Sequence, residues 1–200
     1  GGVFRIGDNT NRSITISGSF SIEGGTLQLS TGNNAADRGT INVAGNFSQS
    51  GGDITETSSG RGAFNFTGNT VQAFYKNALS TISNNIDFSI NSGATVDFGS
   101  SVLNGSSGAF TLNSNAKIVT ANTNGFYSTG NNGSIQVGGV RTYSSTADYE
   151  FKGTATGIFT TSTNPQVRNF IVNNTTGNVV MSQPMTVNGV LTLTAGLLTT

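Results

Sequence analysis

The sequence predicts an all-β chain wound as a single-stranded parallel β-helix, a β-solenoid of about eight or nine coils. Three observations carry this. Apolar residues alternate with polar ones along most of the chain, Gly and Asn clusters interrupt the alternation at short intervals, and segments repeat without gaps at offsets matching one lap. Alternation with period two belongs to strands that bury one face. The apolar types are mainly β-branched or aromatic and Thr is abundant, which suits a pleated surface.

Taken in order, Ile14-Ile16 and Phe20-Ile22 read as strands that end at Gly24-Gly25. Leu27-Leu29 follows, closed by Gly32-Asn33-Asn34, and Ile41-Val43 leads to Gly51-Gly52. Phe64-Phe66 precedes the segment nearest to a helical pattern, Ala73 to Leu79, which is too short to make a helix of useful length. Asn84-Asn85 then introduces Phe88-Ile90, Val96-Phe98 and Phe110-Leu112. Gly130-Asn131-Asn132-Gly133 separates these from Ile135-Val137 and Tyr149-Phe151, and Asn173-Asn174 precedes Leu191-Leu193. Gly and Asn tolerate the positive φ that chain reversals demand.

The repeats decide between β architectures. Phe88-Ser-Ile-Asn-Ser-Gly-Ala-Thr-Val96 lies over Phe110-Thr-Leu-Asn-Ser-Asn-Ala-Lys-Ile118 at an offset of 22. Phe64-Asn-Phe-Thr-Gly68 begins the same pattern 24 residues earlier, and Tyr149-Glu-Phe-Lys-Gly153 echoes it later. In a second family, Thr15-Ile-Ser-Gly-Ser-Phe-Ser21 matches Asn42-Val-Ala-Gly-Asn-Phe-Ser48 at an offset of 27, and also Thr186-Val-Asn-Gly-Val-Leu-Thr192. Each is followed by a Gly (Gly25, Gly52, Gly196) and then by Leu27, Ile54 or Leu198. These offsets are shorter than a propeller blade of about 40 to 45 residues, and they fit one coil of a β-helix. No single coil buries its own apolar face; stacked coils bury a continuous column. The alternative is a β-sandwich, whose strands also recur every 8 to 12 residues or so but which needs no gapless repeat. Equivalent Asn and Thr on successive coils would form side-chain ladders.

Composition removes several classes of function. Nine basic and nine acidic residues among 200 give a formal net charge of zero. Gly, Asn, Ser and Thr supply 106 residues, while Cys, His and Trp are absent. Such polarity also marks disordered chains, but the apolar residues here are ordered by period two rather than scattered. Lacking Cys and His, the chain has no thiolate or imidazole metal site, no disulfide framework and no Cys or His nucleophile or base. Sparse, balanced charge gives no footprint for nucleic acid, and no apolar run reaches the roughly 20 residues that span a bilayer. No cofactor is expected, nor any membrane insertion.

Segments 39 to 47 (GTINVAGNF), 90 to 96 (INSGATV) and 186 to 196 (TVNGVLTLTAG) resemble repeats of very large surface and secreted proteins of Bacteroidota. Proteins of that kind are typically exported by the type IX secretion system. The resemblance covers essentially the whole chain through loose, compositional motifs, and it transfers no catalytic residue. It implies an extracellular, adhesin-like or stalk-like β-helical segment. Residues 1–200 are expected to form one solenoid segment of a longer repeat array, with neighbouring repeats of the same or another chain as its partners and surface glycans as a further partner class.

Nine carboxylates bear on chemistry: Asp8, Glu23, Asp37, Asp53, Glu56, Asp87, Asp97, Asp148 and Glu150. Asp148 and Glu150 flank Tyr149, so they share a strand face about 7 Å apart, within the roughly 6.5 to 9.5 Å separation of an inverting glycosidase pair. With Tyr143, taken as exposed, they are the candidate carbohydrate contacts; Arg141 and Lys152 lie close enough in sequence to line the same groove. The competing reading makes Asp148 and Glu150 a solvated outer face, with Tyr149 and Phe151 pointing inward. Calcium-binding nonapeptides and EF-hand loops are absent. Asn-x-Ser/Thr triplets, among them those at Asn46, Asn65, Asn104, Asn132 and Asn174, are expected by chance in this composition. The pairs Thr154/Thr156 and Thr192/Thr194 resemble ice-binding faces but do not recur at one offset. Recognition loops, if present, are expected at Thr31 to Arg38 and Ala121 to Asn132.

These readings converge on a non-enzymatic, structural or adhesive stalk segment at the cell surface. The alternatives are a carbohydrate-binding or polysaccharide-cleaving β-helix and, second, an ice-binding module.

Overall fold

The computed structural model describes residues 1–8, 10–32, 34, 37–57, 60–153, 157–160 and 165–200. Among them every regular element is a strand, and every strand pairing is parallel. Parallel neighbours require a crossover between them. Here the crossover is the rest of the lap, so the chain is a parallel β-solenoid and the sandwich alternative falls. Even the segment with the nearest helical spacing forms a strand, Val71–Lys76.

Three walls enclose the core. The first stacks Arg12–Ile16, Gly39–Val43, Gly62–Phe66, Ile86–Ile90, Phe110–Leu112 and Arg141–Tyr143. The second stacks Phe20–Ile22, Phe47–Gln49, Val71–Lys76, Thr95–Asp97, Lys117–Thr120, Asp148–Gly153, Asn169–Met181 and Leu191–Thr199, with Phe126–Tyr127 and Gly157–Thr160 alongside. The third stacks Val3–Gly7, Thr26–Ser30, Asp53–Thr55 and Thr81–Ile82, and a separate pair, Leu103–Gly105 with Ile135–Val137, continues it.

Eight passes of the second wall are joined by about seven laps, fewer than the eight or nine expected from a 23-residue lap. Lap length varies more than the repeats suggest: Phe20 pairs with Phe47, Phe88 with Phe110, Phe110 with Arg141 and Phe170 with Leu191. The 31-residue lap between Phe110 and Arg141 is the longest of these. Register confirms the repeats Phe64/Phe88/Phe110 and Thr15/Asn42. The echo at Tyr149 is a coincidence of pattern, because Tyr149 pairs with Ile118 and Phe170 in the second wall, whereas Phe64 belongs to the first. Both walls need an inward aromatic or aliphatic at every second residue, so their sequences look alike without being equivalent.

Stacking at one strand spacing of about 4.8 Å places like residues above one another. Phe20, Phe47, Phe74 and Phe98 follow one another with ring centroids 6.0, 5.3 and 4.7 Å apart. Phe64 packs on Phe47 at 4.9 Å, Phe66 at 5.3 Å and Phe88 at 5.6 Å. On the outer face of the first wall the expected ladder forms. Asn65 Nδ2 donates to Asn42 Oδ1 (2.9 Å), and Ser89 Oγ donates to Asn65 Oδ1 (2.7 Å). At one corner Gly52 stacks on Gly25, both at positive φ; a Cβ on Gly52 would stand 2.5 Å from the Gly25 carbonyl oxygen. Leu191 and Leu193 lie in register over the buried Phe170 and Val172. They are 47% and 58% exposed rather than core, because no rung lies beyond theirs among the described residues.

Phe64→Ala is expected to cost about 3–5 kcal/mol, read as a lowered denaturant midpoint. Leu79→Ala, at a side chain 91% exposed, is the control and should cost less than about 0.5 kcal/mol.

Candidate functional site

The second wall presents Asp148, Glu150 and Lys152 outward, as alternation around the inward Tyr149 and Phe151 requires. Register then decides their partners. Asp148 faces Lys117 on one side and Asn169 on the other, and Glu150 stands between Val119 and Ile171. Arg168 grips Asp148 with two donors, Nε to Oδ1 at 2.7 Å and Nη2 to Oδ2 at 2.9 Å. Asn169 Nδ2 adds a third bond to Oδ1 at 2.9 Å. Glu150 accepts from Lys117 Nζ at 2.7 Å through Oε2 and from Asn173 Nδ2 at 3.3 Å through Oε1.

Lys152 reaches past one rung to pair with Asp97. That pair straddles Val119, an outward residue only 4% exposed. Arg38 pairs with Asp87 at 2.7 Å, and the Ala109 N–H donates to the same carboxylate at 2.9 Å, joining non-adjacent laps. The hydrogen bond from Arg168 to Asp148 holds that guanidinium above its ordinary pKa, against a smaller effect of desolvation. Exposed ion pairs contribute about 0–1 kcal/mol each, but the two-pronged Arg168–Asp148 contact also fixes geometry.

Asp148 and Glu150 therefore do share a face, as the sequence indicates, and their four oxygens are taken up by donors from neighbouring laps. Tyr143 is not on that face, nor is it exposed. Its register partner is Leu112, an inward position, and its ring packs against Phe110 (5.7 Å), Phe126 (6.1 Å) and Tyr149 (6.5 Å). Burial pushes the Tyr143 phenol well above its usual range, against the pull of Arg141. Tyr149 is raised likewise by burial, with a further push from Tyr143.

Arg141 is a second residue that sequence reasoning placed wrongly. It occupies the inward position above Phe110 and is only 8% exposed. Its Nε and Nη2 donate to the Val137 carbonyl (3.1 and 2.8 Å), Nη1 to that of Tyr127 (3.2 Å) and Nη2 to that of Gly130 (2.6 Å). Burial lowers its pKa, partly offset by Tyr143. The guanidinium thus ends the aromatic column and pins residues 121–137, the extra length of the 31-residue lap. Phe126 from that segment is fully buried. The span Ala121 to Asn132 is consequently anchored to the core at Gly125 and Phe126, while Thr123, Asn124 and 129–132 stay exposed. The other loop, Thr31 to Arg38, lies partly outside the described residues, as do Asn33 and the pair Thr154/Thr156.

Among the described residues no three carboxylates gather where they could hold a metal ion, and no helix is long and apolar enough to cross a membrane. Family models, curated proteins and solved structures offer no match to this chain. The fold defines its class as a β-solenoid, a structural repeat.

Arg141→Ala removes the guanidinium's bonds to the carbonyls of Val137, Gly130 and Tyr127, the last of which keeps the Tyr143 hydroxyl; this is expected to lower stability by about 1–3 kcal/mol and to speed amide hydrogen exchange across residues 125–137. Alkaline pH should act through Tyr143 and Tyr149. Their folded pKa values lie above the unfolded value of about 10, so the stability they contribute is whole below that pH and is lost as pH rises toward the folded values. Replacing both with Phe should flatten the decline in unfolding free energy measured above about pH 10.

Proposed function

We propose that this chain is a rigid structural segment of an extracellular bacterial surface protein, serving as a stalk or fibre element in an adhesin-like array. One observation supports the reading most directly: the chain's distinctive side chains bond one lap to the next. The Phe columns, the Asn42–Asn65–Ser89 ladder and the pairs Arg168–Asp148 and Lys117–Glu150 all do so, and Lys152–Asp97 spans two laps. A solenoid's stability is close to a sum of its repeats and their interfaces, so such a segment lengthens without redesign. The repeats' resemblance to Bacteroidota surface and secreted proteins supports export, with the type IX system as the route. Neighbouring repeats and surface glycans are the proposed partners.

Antibodies raised against residues 1–200 should label intact, unpermeabilised source cells. They should also detect a polypeptide several-fold heavier than 20.5 kDa under denaturing conditions. Labelling seen only after permeabilisation would sink the surface reading.

A further inference from the structure

The third wall's hydrogen-bond ladder is interrupted once along its length. Thr81–Ile82 closes the four-stranded sheet, and Leu103–Gly105, on the next lap, pairs forward with Ile135–Val137 instead. The surface opens at this break into two adjoining hollows of about 390 and 510 Å³ that share Ala78, Asn104 and Gln136. Together they form one groove crossing successive laps, in the size range of small-ligand sites.

The chemistry of its lining is selective. Tyr75 forms one flank and is 48% exposed, outward on a strand whose Phe74 and Lys76 point in. Apart from the apolar Ala78, Ile82 and Val102, the other side chains are mainly hydroxyls and amides, with no carboxylate or guanidinium. The side-chain amides of Asn104 and Asn131 have no hydrogen-bond partner among the described residues, and Gln136 gives one bond, Nε2 to the Gly133 carbonyl at 2.9 Å. The one cation present, Lys76, is turned inward, where its ammonium donates to the carbonyls of Asn77 and Ser80. Those bonds, with Ser80 N to Asn77 O at 3.1 Å and Leu79 N to Asn77 Oδ1 at 2.9 Å, brace the 77–80 turn that bounds the groove. A braced wall loses little freedom on binding.

We infer that this groove binds a neutral saccharide chain, its sugar faces on Tyr75 and its hydroxyls on Asn104, Asn131 and Gln136. A lining whose one charge is turned inward onto backbone carbonyls disfavours nucleic acids, phosphorylated ligands and charged peptides. Amides that donate and accept in close sequence match vicinal hydroxyls, and an exposed ring supplies a flat apolar face with little rotamer entropy to lose. The site is separate from Asp148 and Glu150, whose oxygens already have partners.

The test is a titration of the ¹⁵N-labelled chain with cellohexaose, maltohexaose and xylohexaose, followed by amide chemical shifts. At least one should give saturable shifts confined to residues 75–83, 100–106 and 131–136. Tyr75→Ala should weaken that binding at least about tenfold with no change in the unfolding midpoint. Asn104→Ala, at an exposed side chain, should weaken it as well. The inference is overturned if none of the three sugars shifts the spectrum at millimolar concentration. It is equally overturned if the shifts centre on the Asp148–Glu150 face, or if both variants bind like the parent chain. The stalk reading is judged by cell labelling and polypeptide mass, so either proposal can fail alone.

Discussion

Parallel pairing of each lap onto the next, at one strand spacing, is the constraint on which the rest of this molecule depends. Every inward side chain must share its column with the residue one lap away, only about 4.8 Å along the axis. Most columns are therefore apolar, and where Gln49 and Lys76 follow Ile22 their polar ends turn to backbone carbonyls. Flat or branched apolar groups fit, as in Phe20, Phe47 and Phe74 or in Ile41, Phe64 and Phe88. Outside, the same spacing suits short amides and hydroxyls, which bond sideways from lap to lap. It also explains the low charge: like charges stacked at that distance repel, so acids and bases must be offset along the outer face to meet, as Lys117 meets Glu150 and Lys152 meets Asp97.

The long lap shows what happens when the constraint is relaxed. Additional chain between Thr120 and Ile135 has only the short strand Phe126–Tyr127, paired with Gly157–Thr160, and its other backbone groups need partners. Arg141 supplies them. A guanidinium carries five donors in a rigid fork, enough to serve carbonyls from three residues while standing where a Phe would otherwise stack. Burying that charge is costly without partners, and charge-assisted bonds to carbonyls offset it. Phe126 meanwhile restores the aromatic cluster, with its ring 5.3 Å from Phe151. An insertion that looks in the sequence like a surface loop is thereby anchored to the core at Phe126 while its polar tip stays at the surface.

The architecture was legible because period two and gapless offsets report the same geometry, and every inward pair from Phe20-Ile22 to Tyr149-Phe151 lies on a strand or at its edge. The errors share one cause, which is that lap length is not constant. The 31-residue lap hides the register of Lys117 with Asp148, so the ion pairs of the second wall cannot be found by a fixed offset. It also carries Tyr143 and Arg141 from an imagined groove into the interior. For the carbohydrate candidates, alternation alone put Asp148 and Glu150 on one outer face, but it could not name their partners. Arg168 lies 20 residues away and Asn173 23 from Glu150, distances that mean nothing until the local lap length is known. The groove beside Tyr75 arises from a break in pairing that alternation does not report, and of its residues only Asn131 falls in a loop that the sequence singles out.

That break bears on how a solenoid acquires specificity. A surface made of repeated, mutually satisfied rungs presents the same hydroxyls and amides at every lap, with their bonds spent on neighbours, and it discriminates poorly. Discrimination needs polar groups left unspent and a shape that is not repeated. Asn42 and Asn65 are spent in a ladder; Asn104 and Asn131 are the same residue type, left open because pairing between two laps of the third wall lapses beside them. Recognition in such a frame belongs where the ladder fails, and the long lap, by drawing Leu103–Gly105 into register with Ile135–Val137, helps to place that failure.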